Sequence, residues 1–477
     1  MDKRICRRIV VAMVSALPLF TPGPLAAAEP LELSLRRALE IALAANRNLT
    51  ISRLSYEGEE RGLDAARAEF ELKVVPTTTF GTLSNNALAP NATGNNSSIG
   101  AQLTKKLEAG TTVSIGPSWN RSGDTRNETM NLSVQQPLLK GFGSEVNLDG
   151  VRRAQFTIAS AGRALDQARV NTALETIATY YEVIKQEQLA RLSDTLAERL
   201  RRHAIVARSK ERVGVATPMD TYRAQIYLKD AEDSANQARN AYESAKNQLK
   251  LILNLSLEAD IKLAPPPLPE LHVQNLEQEA VRQRAELVQL RAEIEEATRA
   301  LQVAANALLP DVSVRWNYGQ AVAAQPVFAQ FLPTTQRQSS VYLQASSDLY
   351  HTAEKANYRR AELRIESLRV SLDTKSTDIR RQVKQQLALL DEAKRRIVLR
   401  MEQIRQAEGK LALAEVKFAH DMADNFAVIE AEGERQRARA NLFATEAEHA
   451  IGIYNLEAIS GHLLDAFPER LPRSSGN

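Results

Sequence analysis

The chain has 477 residues, of which 44% are hydrophobic, 25% charged and 5% aromatic. That balance excludes a disordered chain and a polytopic helical membrane protein, and the length leaves room for two to four domains or one large repeated architecture. The formal net charge of +3 is carried by the N-terminal segment alone, so no concentrated basic face speaks for a nucleic-acid partner.

That segment reads as a secretory signal. Lys3, Arg4, Arg7 and Arg8 precede an apolar run over residues 9–20, and Ala26, Ala27 and Ala28 offer a small-residue cleavage site. The run is too short to span a bilayer. Cleavage near Ala28 gives a mature chain from Glu29 with 57 basic and 57 acidic residues. Cys6, the single cysteine, is removed with it, so no disulfide, thiolate metal site or lipid on an N-terminal cysteine is expected. No later stretch is apolar enough for a helix to cross a membrane, so any crossing would have to be a closed β-barrel.

The rest is an internal duplication. Residues 29–263 and 272–463 run in the same order: helix, alternating strands, very long helix, turn, helix. Residues 264–271 hold Pro265, Pro266 and Pro267 in succession, an extended linker because consecutive prolines cannot continue a helix. Residues 464–477 are expected to form a flexible tail.

Ser34 caps the first expected helix, which carries Leu35, Ala38, Leu39, Ala42 and Leu43 at helical spacing. Residues 46–48 interrupt it, and it resumes to Phe70. Residues 276–309 play the same part in the second repeat as one continuous helix. Each leads into strands past a proline, Pro76 and Pro310.

Strands are expected over residues 73–136 and 311–347. Val312, Val314, Trp316 and Tyr318 alternate with polar neighbours, as do Val341, Leu343 and Ala345. In the first repeat Ile99, Ala101 and Leu103 alternate, then Val113, Ile115 and Trp119, then Met130, Leu132 and Val134. Such alternation fits either a half-buried sheet in a soluble domain or a barrel with apolar residues toward lipid. Residues 85–98 read as a polar loop.

Helical hairpins follow at residues 146–254 and 353–460. Residues 146–212 and 353–420 lack proline, and about 65 residues at ~1.5 Å each make roughly 100 Å of helix. A 4-3 seam runs through Val383, Leu387, Leu390, Lys394, Ile397, Met401, Ile404, Glu408 and Leu411. Each long helix overhangs its partner, and the short helix before the strands is left to cover the overhang.

No constellation supports catalysis. Histidines are scattered, Glu446-x-x-His449 is half of a di-iron helix motif and reads as an exposed helical face, and Gly141-Phe142-Gly143 reads as a turn. No catalytic residue, metal site or cofactor is expected. The hairpin turns are the informative segments. Gly214 suits the left-handed end of one helix, Thr217 the cap and Pro218 the first position of the next. Asp421 stands in the second turn where Gly214 stands in the first.

Together these features resemble the TolC family of outer-membrane efflux proteins. The resemblance rests on Leu35-Arg36-Arg37-Ala38-Leu39 followed by Asn46, the exits at Pro76 and Pro310, and Gln136-Pro137-Leu138-Leu139-Lys140-Gly141. Val213-Gly214-Val215-Ala216-Thr217 and the duplication complete it. It implies a mostly α fold with a transmembrane β part: tandem long hairpins forming a tunnel, and strands given to a barrel shared by a homotrimer in outer-membrane lipid. It implies partners, a periplasmic adaptor (membrane fusion protein) and an inner-membrane pump, with substrates passing from them to the exterior by efflux or type I secretion. The implied docking tips are Val213, Gly214, Val215, Ala216 and Thr217, with Asp421, Met422, Ala423, Asp424, Asn425 and Phe426. The implied mouth-narrowing residues are Asp220 and Glu430, with Ala427 where the family carries another acid. The family has two strands per half, whereas the first half here has an added hairpin around Gly110, over residues 97–120. Either the barrel is wider or the hairpin sits outside its wall. The rival reading is a periplasmic coiled-coil adaptor or scaffold; its single hairpin nested in β-domains does not match two tandem hairpins behind strand clusters.

Overall fold

A computed structural model describes residues 31–84, 93–122, 125–267, 269, 275–327, 330–420, 422–423 and 425–464. The expected signal with Cys6 and the expected tail from 465 onward lie outside the described residues, as do Asp421 and Asp424.

The order is β1 (Leu31–Leu33), α1 (Leu35–Ala45), α2 (Arg47–Arg67), β2 (Lys73–Ser84), β3 (Thr93–Lys106), β4 (Thr112–Ser122) and β5 (Thr125–Pro137). Then come α3 (Ser144–Asn147), α4 (Asp149–Arg212), α5 (Pro218–Ile252) and β6 (Ile261–Leu263). The second repeat holds α6 (Leu276–Gln283), α7 (Ala285–Ala307), β7 (Asp311–Val327), β8 (Gln330–Ser346), α8 (Thr352–Ala419) and α9 (Asn425–Ser460).

Ser34 caps α1 by accepting from the Arg37 N–H, and Asn46 both ends α1 and caps α2. The second repeat breaks at the matching place. Arg284, with extended backbone, separates α6 from α7, where one continuous helix is expected from sequence. The break lets α6 pack on α8 and α9 while α7 follows α8. It carries no side-chain cap, so local sequence gives little sign of it.

Long helices follow from helix-forming composition without proline. Helix α4 is covered by α5 toward the turn and by α2 toward the sheet; α9 and α7 cover α8 in the same way. The seam on α8 holds at its ends, where Val383, Leu390 and Leu411 are buried. It fails in between: Met401 is 50% exposed, beside Val398 at 62% and Leu399 at 65%. Within one chain those side chains have no cover.

One core sits at the junction of the repeats. Leu33, Leu35, Leu39, Ile177, Tyr180, Leu249 and Leu253 pack together there, around the parallel pair β1–β6. The buried Tyr180 hydroxyl lies 2.8 Å from the Leu33 carbonyl and 2.6 Å from that of Ala264, so its proton serves either. Burial pushes this phenol up to about 12.

The six other strands form one antiparallel sheet in the order β2-β3-β4-β5-β7-β8. Residues 93–98, expected as loop, belong to β3. The hairpin β3–β4 pairs with β2 on one side and β5 on the other. Cross-strand rows show the alternation. Val74, Leu103, Ile115, Leu132, Tyr318 and Ser339 share one face. Thr77, Gly100, Ser118, Thr129, Ala321 and Gln336 share the other. The apolar face has nothing over it: Phe80, Val341 and Leu343 are 70–74% exposed. Among the described residues no helix is long and apolar enough to cross a membrane.

Candidate functional site at the hairpin tips

The first tip is closed by two interlocking motifs. Gly214 adopts φ +74°, the left-handed conformation that ends a helix at low cost only for glycine. The Val215 N–H donates to the Lys210 carbonyl at 2.9 Å, and the Gly214 N–H to Glu211 at 3.0 Å. These two bonds satisfy carbonyls that α4 leaves unpaired. Thr217 then caps α5 in a reciprocal box: its hydroxyl accepts from the Asp220 N–H, and its own N–H donates to the Asp220 carboxylate at 3.0 Å. Bonds from the Thr217 hydroxyl and N–H hold the Asp220 carboxyl below the usual carboxylate range. The expected mouth residue Asp220 is thus committed to a cap.

The second tip repeats the closure. The Met422 N–H donates to the Lys417 carbonyl at 2.8 Å, with the same five-residue reach as Val215 to Lys210. Asp421, the counterpart of Gly214 in sequence, and Asp424 lie outside the described residues. Helix α9 starts at Asn425, which is buried; its amide atoms have no hydrogen-bond partner. Asn425 is therefore not on the tip's surface, contrary to the expectation for a docking residue, because the first turn of α9 packs inward through it and Val428.

The surface of the tips is apolar. Val213 is 73% exposed and Met422 69%, and Val215, Met219 and Tyr222 stand free beside them. Ala216 and Ala423 are half-buried. Phe426 is partly exposed and lies against Tyr227 with ring centroids 6.0 Å apart. Lys210 Nζ stands 4.2 Å from the Phe418 ring centroid, and His203 meets the same ring edge-on at 6.4 Å. These contacts join the two hairpins at their ends.

Glu430 lies on an exposed face of α9. Lys410 on α8 approaches it at 3.8 Å but bonds Glu434 at 2.8 Å; the hydrogen bond to Glu434 raises the Lys410 ammonium pKa. Glu430 thus has the longer of the two contacts to Lys410.

The charged centre between the hairpins is absent from the expected site residues. Glu432 on α9 is 1% exposed. It takes Arg199 of α4 on one carboxylate oxygen and Arg435 of its own helix on the other, the latter at 2.8 Å. Arg435 Nε is buried without a partner, and burial lowers this guanidinium's pKa. His203 is near enough to feel Glu432; burial is the larger influence and pushes its imidazole down. A sequence sign existed: Val428, Ala431, Glu432, Arg435 and Ala438 repeat at core spacing, so Glu432 and Arg435 occupy core positions.

Glu446 and His449 do not meet water as an exposed face would. Burial raises the Glu446 carboxyl, and His449 is buried with neither ring nitrogen bonded. Among the described residues no cluster of histidine, cysteine or carboxylate is placed to hold a metal.

No protein-family model matches the chain. Over 152 residues it is 27% identical to Protein CyaE of Bordetella pertussis (strain Tohama I), which covers 32% of this chain and spans only 31% of that protein. Solved structures match over nearly the whole length. The outer-membrane channel OprN aligns with TM-score 0.69 and 16% identity over 90% of both chains. The Campylobacter jejuni CmeC outer membrane channel gives 0.71 and 12%, over 92% of this chain and 87% of its own. The Neisseria gonorrhoeae MtrE outer membrane channel gives 0.69 and 15%, over 90% and 89%. The chain has the outer-membrane channel fold that its resemblance to the TolC family implies: long helical hairpins carrying strands of a β-barrel.

Proposed function

We propose that three copies of this chain form an exit duct in an outer membrane, with the helical hairpins reaching into the periplasm. One observation carries the reading. A six-stranded sheet with one apolar face and two unpaired edges, β2 and β8, is set at the end of hairpins roughly 100 Å long. Such edges invite pairing, and a membrane tolerates strands only in a closed barrel. The uncovered apolar side chains of α8, Val398, Leu399 and Met401, fit burial against the neighbouring copy of the tunnel. The likeness to outer-membrane channels favours this duct over a periplasmic adaptor or scaffold.

The tips then face a partner. Val213, Val215 and Met422 form an apolar surface of the kind that marks a protein contact, and a periplasmic adaptor coupled to an inner-membrane pump is the partner proposed. Gly214, Ala216, Thr217 and Ala423 shape that surface; Asp421 and Asp424 belong to it by sequence. Glu430, repeated in three copies, is the proposed acidic ring at the mouth, where it would favour cations.

The test is the detergent-corrected mass of the protein extracted from the outer-membrane fraction. A mass near three chains is expected. A soluble periplasmic monomer would remove the duct reading and return the adaptor or scaffold.

A further inference from the structure

Resting on the duct reading above, we propose that the hairpin β3–β4 is part of the barrel wall, so that three copies close an 18-stranded barrel. Its bore is wide and, beyond a basic band at the helix-side end, lined by uncharged polar side chains, so that stretch passes bulky hydrophilic cargo of either charge.

The pairing carries the first half of this. Strand β2 is bonded only to β3, and β5 to β4 and β7. A hairpin outside the wall would leave β2 beside β5; instead it separates them along its whole length. Both hairpin faces match the neighbouring strands. On the polar face the Ser118 and Thr129 hydroxyls meet at 2.6 Å across β4–β5. On the apolar face Leu103 and Ile115 continue the row from Val74 to Leu132. The turn is anchored too. Gly110 sits at φ +95°, and the Gly143 N–H donates to the adjacent Ala109 carbonyl at 3.2 Å.

Polarity permits closure. Six antiparallel strands leave β2 and β8 running in opposite directions, so β8 of one copy meets β2 of the next antiparallel, as a ring of identical copies requires. Eighteen strands ~4.8 Å apart and tilted ~40° close a cylinder roughly 36 Å across, against roughly 24 Å for twelve.

The lining carries the second half. Away from the helix-side end the polar rows run through Ser, Thr, Asn, Gln, Gly and Ala, with Val75 among them. From the Thr77 row to the row before Lys73 no side chain is charged; Lys73, then Lys106 and Arg315 in the next row and Asp311 below them, form a mainly basic band at the helix-side end. A wall of hydroxyls and amides holds water and neither attracts nor repels an ion strongly.

Cysteine labelling in intact cells tests this, on a Cys6→Ser background that leaves no other thiol. Asn131→Cys and Leu132→Cys on β5 set the standard for a wall strand; Gly116→Cys and Ile115→Cys ask the question of β4. A Cβ at Gly116 meets open space. With a membrane-impermeant maleimide bearing a polyethylene glycol arm, Gly116→Cys should react at least tenfold faster than Ile115→Cys, as Asn131→Cys does relative to Leu132→Cys. Charged maleimides of either sign should react at Gly116→Cys within about twofold of each other. Equal rates on both faces of β4, with alternation retained on β5, would put the hairpin outside the wall and overturn the inference while the duct stands. No alternation on β5 would overturn the duct itself. Labelling that excludes one charge, or silence at Gly116→Cys beside a reactive Ser114→Cys, would overturn the open, neutral stretch of the bore. Counting strands in a cryo-EM map of the extracted complex gives the same decision independently: eighteen supports it and twelve overturns it.

Discussion

Arg199 on α4 donates to the carboxylate of Glu432 on α9, so the first hairpin is tied to the second by a charge pair whose carboxylate water barely reaches. Glu432 also holds Arg435 at 2.8 Å. Removing the carboxylate strands two cations at an interface built otherwise of Ala197, Leu200, Ala204 and Ile429. Breaking such a buried group by one member costs about 3–5 kcal/mol. Glu432→Ala should therefore release the tips to protease while leaving the sheet resistant. Replacing Arg199, Glu432 and Arg435 together by Met, Leu and Met should restore much of the resistance, because no buried charge remains.

The same interface should loosen in mild acid. Burial lowers the His203 pKa, and Arg202 and Arg199 add to this against Glu432 and Glu415. Its ordinary pKa is about 6.5. Below that the unfolded chain takes a proton that the folded one refuses, so the contribution is full above pH 6.5 and declines beneath it. His449, also lowered by burial, has the same sign. Protease sensitivity of the hairpins should rise between pH 7.5 and 5.5. His203→Gln should flatten part of that rise, and adding His449→Gln more of it.

The tip caps should be measurable separately. Gly214→Ala forces a side chain into the left-handed region, a penalty of roughly 1–2 kcal/mol. Thr217→Val removes the cap of α5 for about 1 kcal/mol. Both should weaken crosslinking to a co-expressed adaptor more than they lower the amount of assembled protein. Val213→Asp should abolish crosslinking with assembly unchanged.

The acidic positions should divide by role. Asp220 is engaged by Thr217, so Asp220→Ala should cost tip stability and leave ion preference nearly unchanged. Glu430→Ala should shift the reversal potential in a salt gradient toward that of a non-selective pore. A shift from Asp220→Ala instead would reverse the assignment.

The turn under the inserted hairpin should resist substitution. A Cβ on Gly110 would come within 2.6 Å of the Gly141 carbonyl and 2.8 Å of Asn147 Nδ2, at a φ that other residues rarely adopt. Gly110→Ala should reduce assembled protein in the outer membrane severalfold. Gly116→Ala, with open space around it, should not.

Local chemistry was sufficient for the elements. The cap at Ser34, the break at Asn46, the alternation in β4, β5, β7 and β8 and the closure at Gly214 are readable because each depends on residues within one or two turns. The same locality misled at three places. Residues 276–309 look like one helix because the break at Arg284 has no side-chain signature. Residues 93–98 look like loop because Gly94, Asn95, Asn96, Ser97 and Ser98 are residue types that favour turns, and only pairing with β2 makes them strand. Asn425 looks like tip surface because nothing near it in sequence shows the packing of Val428 beneath. What only the tertiary structure decided is what lies opposite what. Whether β3–β4 stands in the sheet depends on bonds to β2 and β5. Whether Glu432 is a solvated charge or a buried clasp depends on Arg199, 233 residues away in sequence. Periodicity determines which face of an element is apolar, because burial of that face is favourable wherever it occurs. It does not determine the partner, because hydrophobic burial is non-directional and only the assembled chain brings distant partners together.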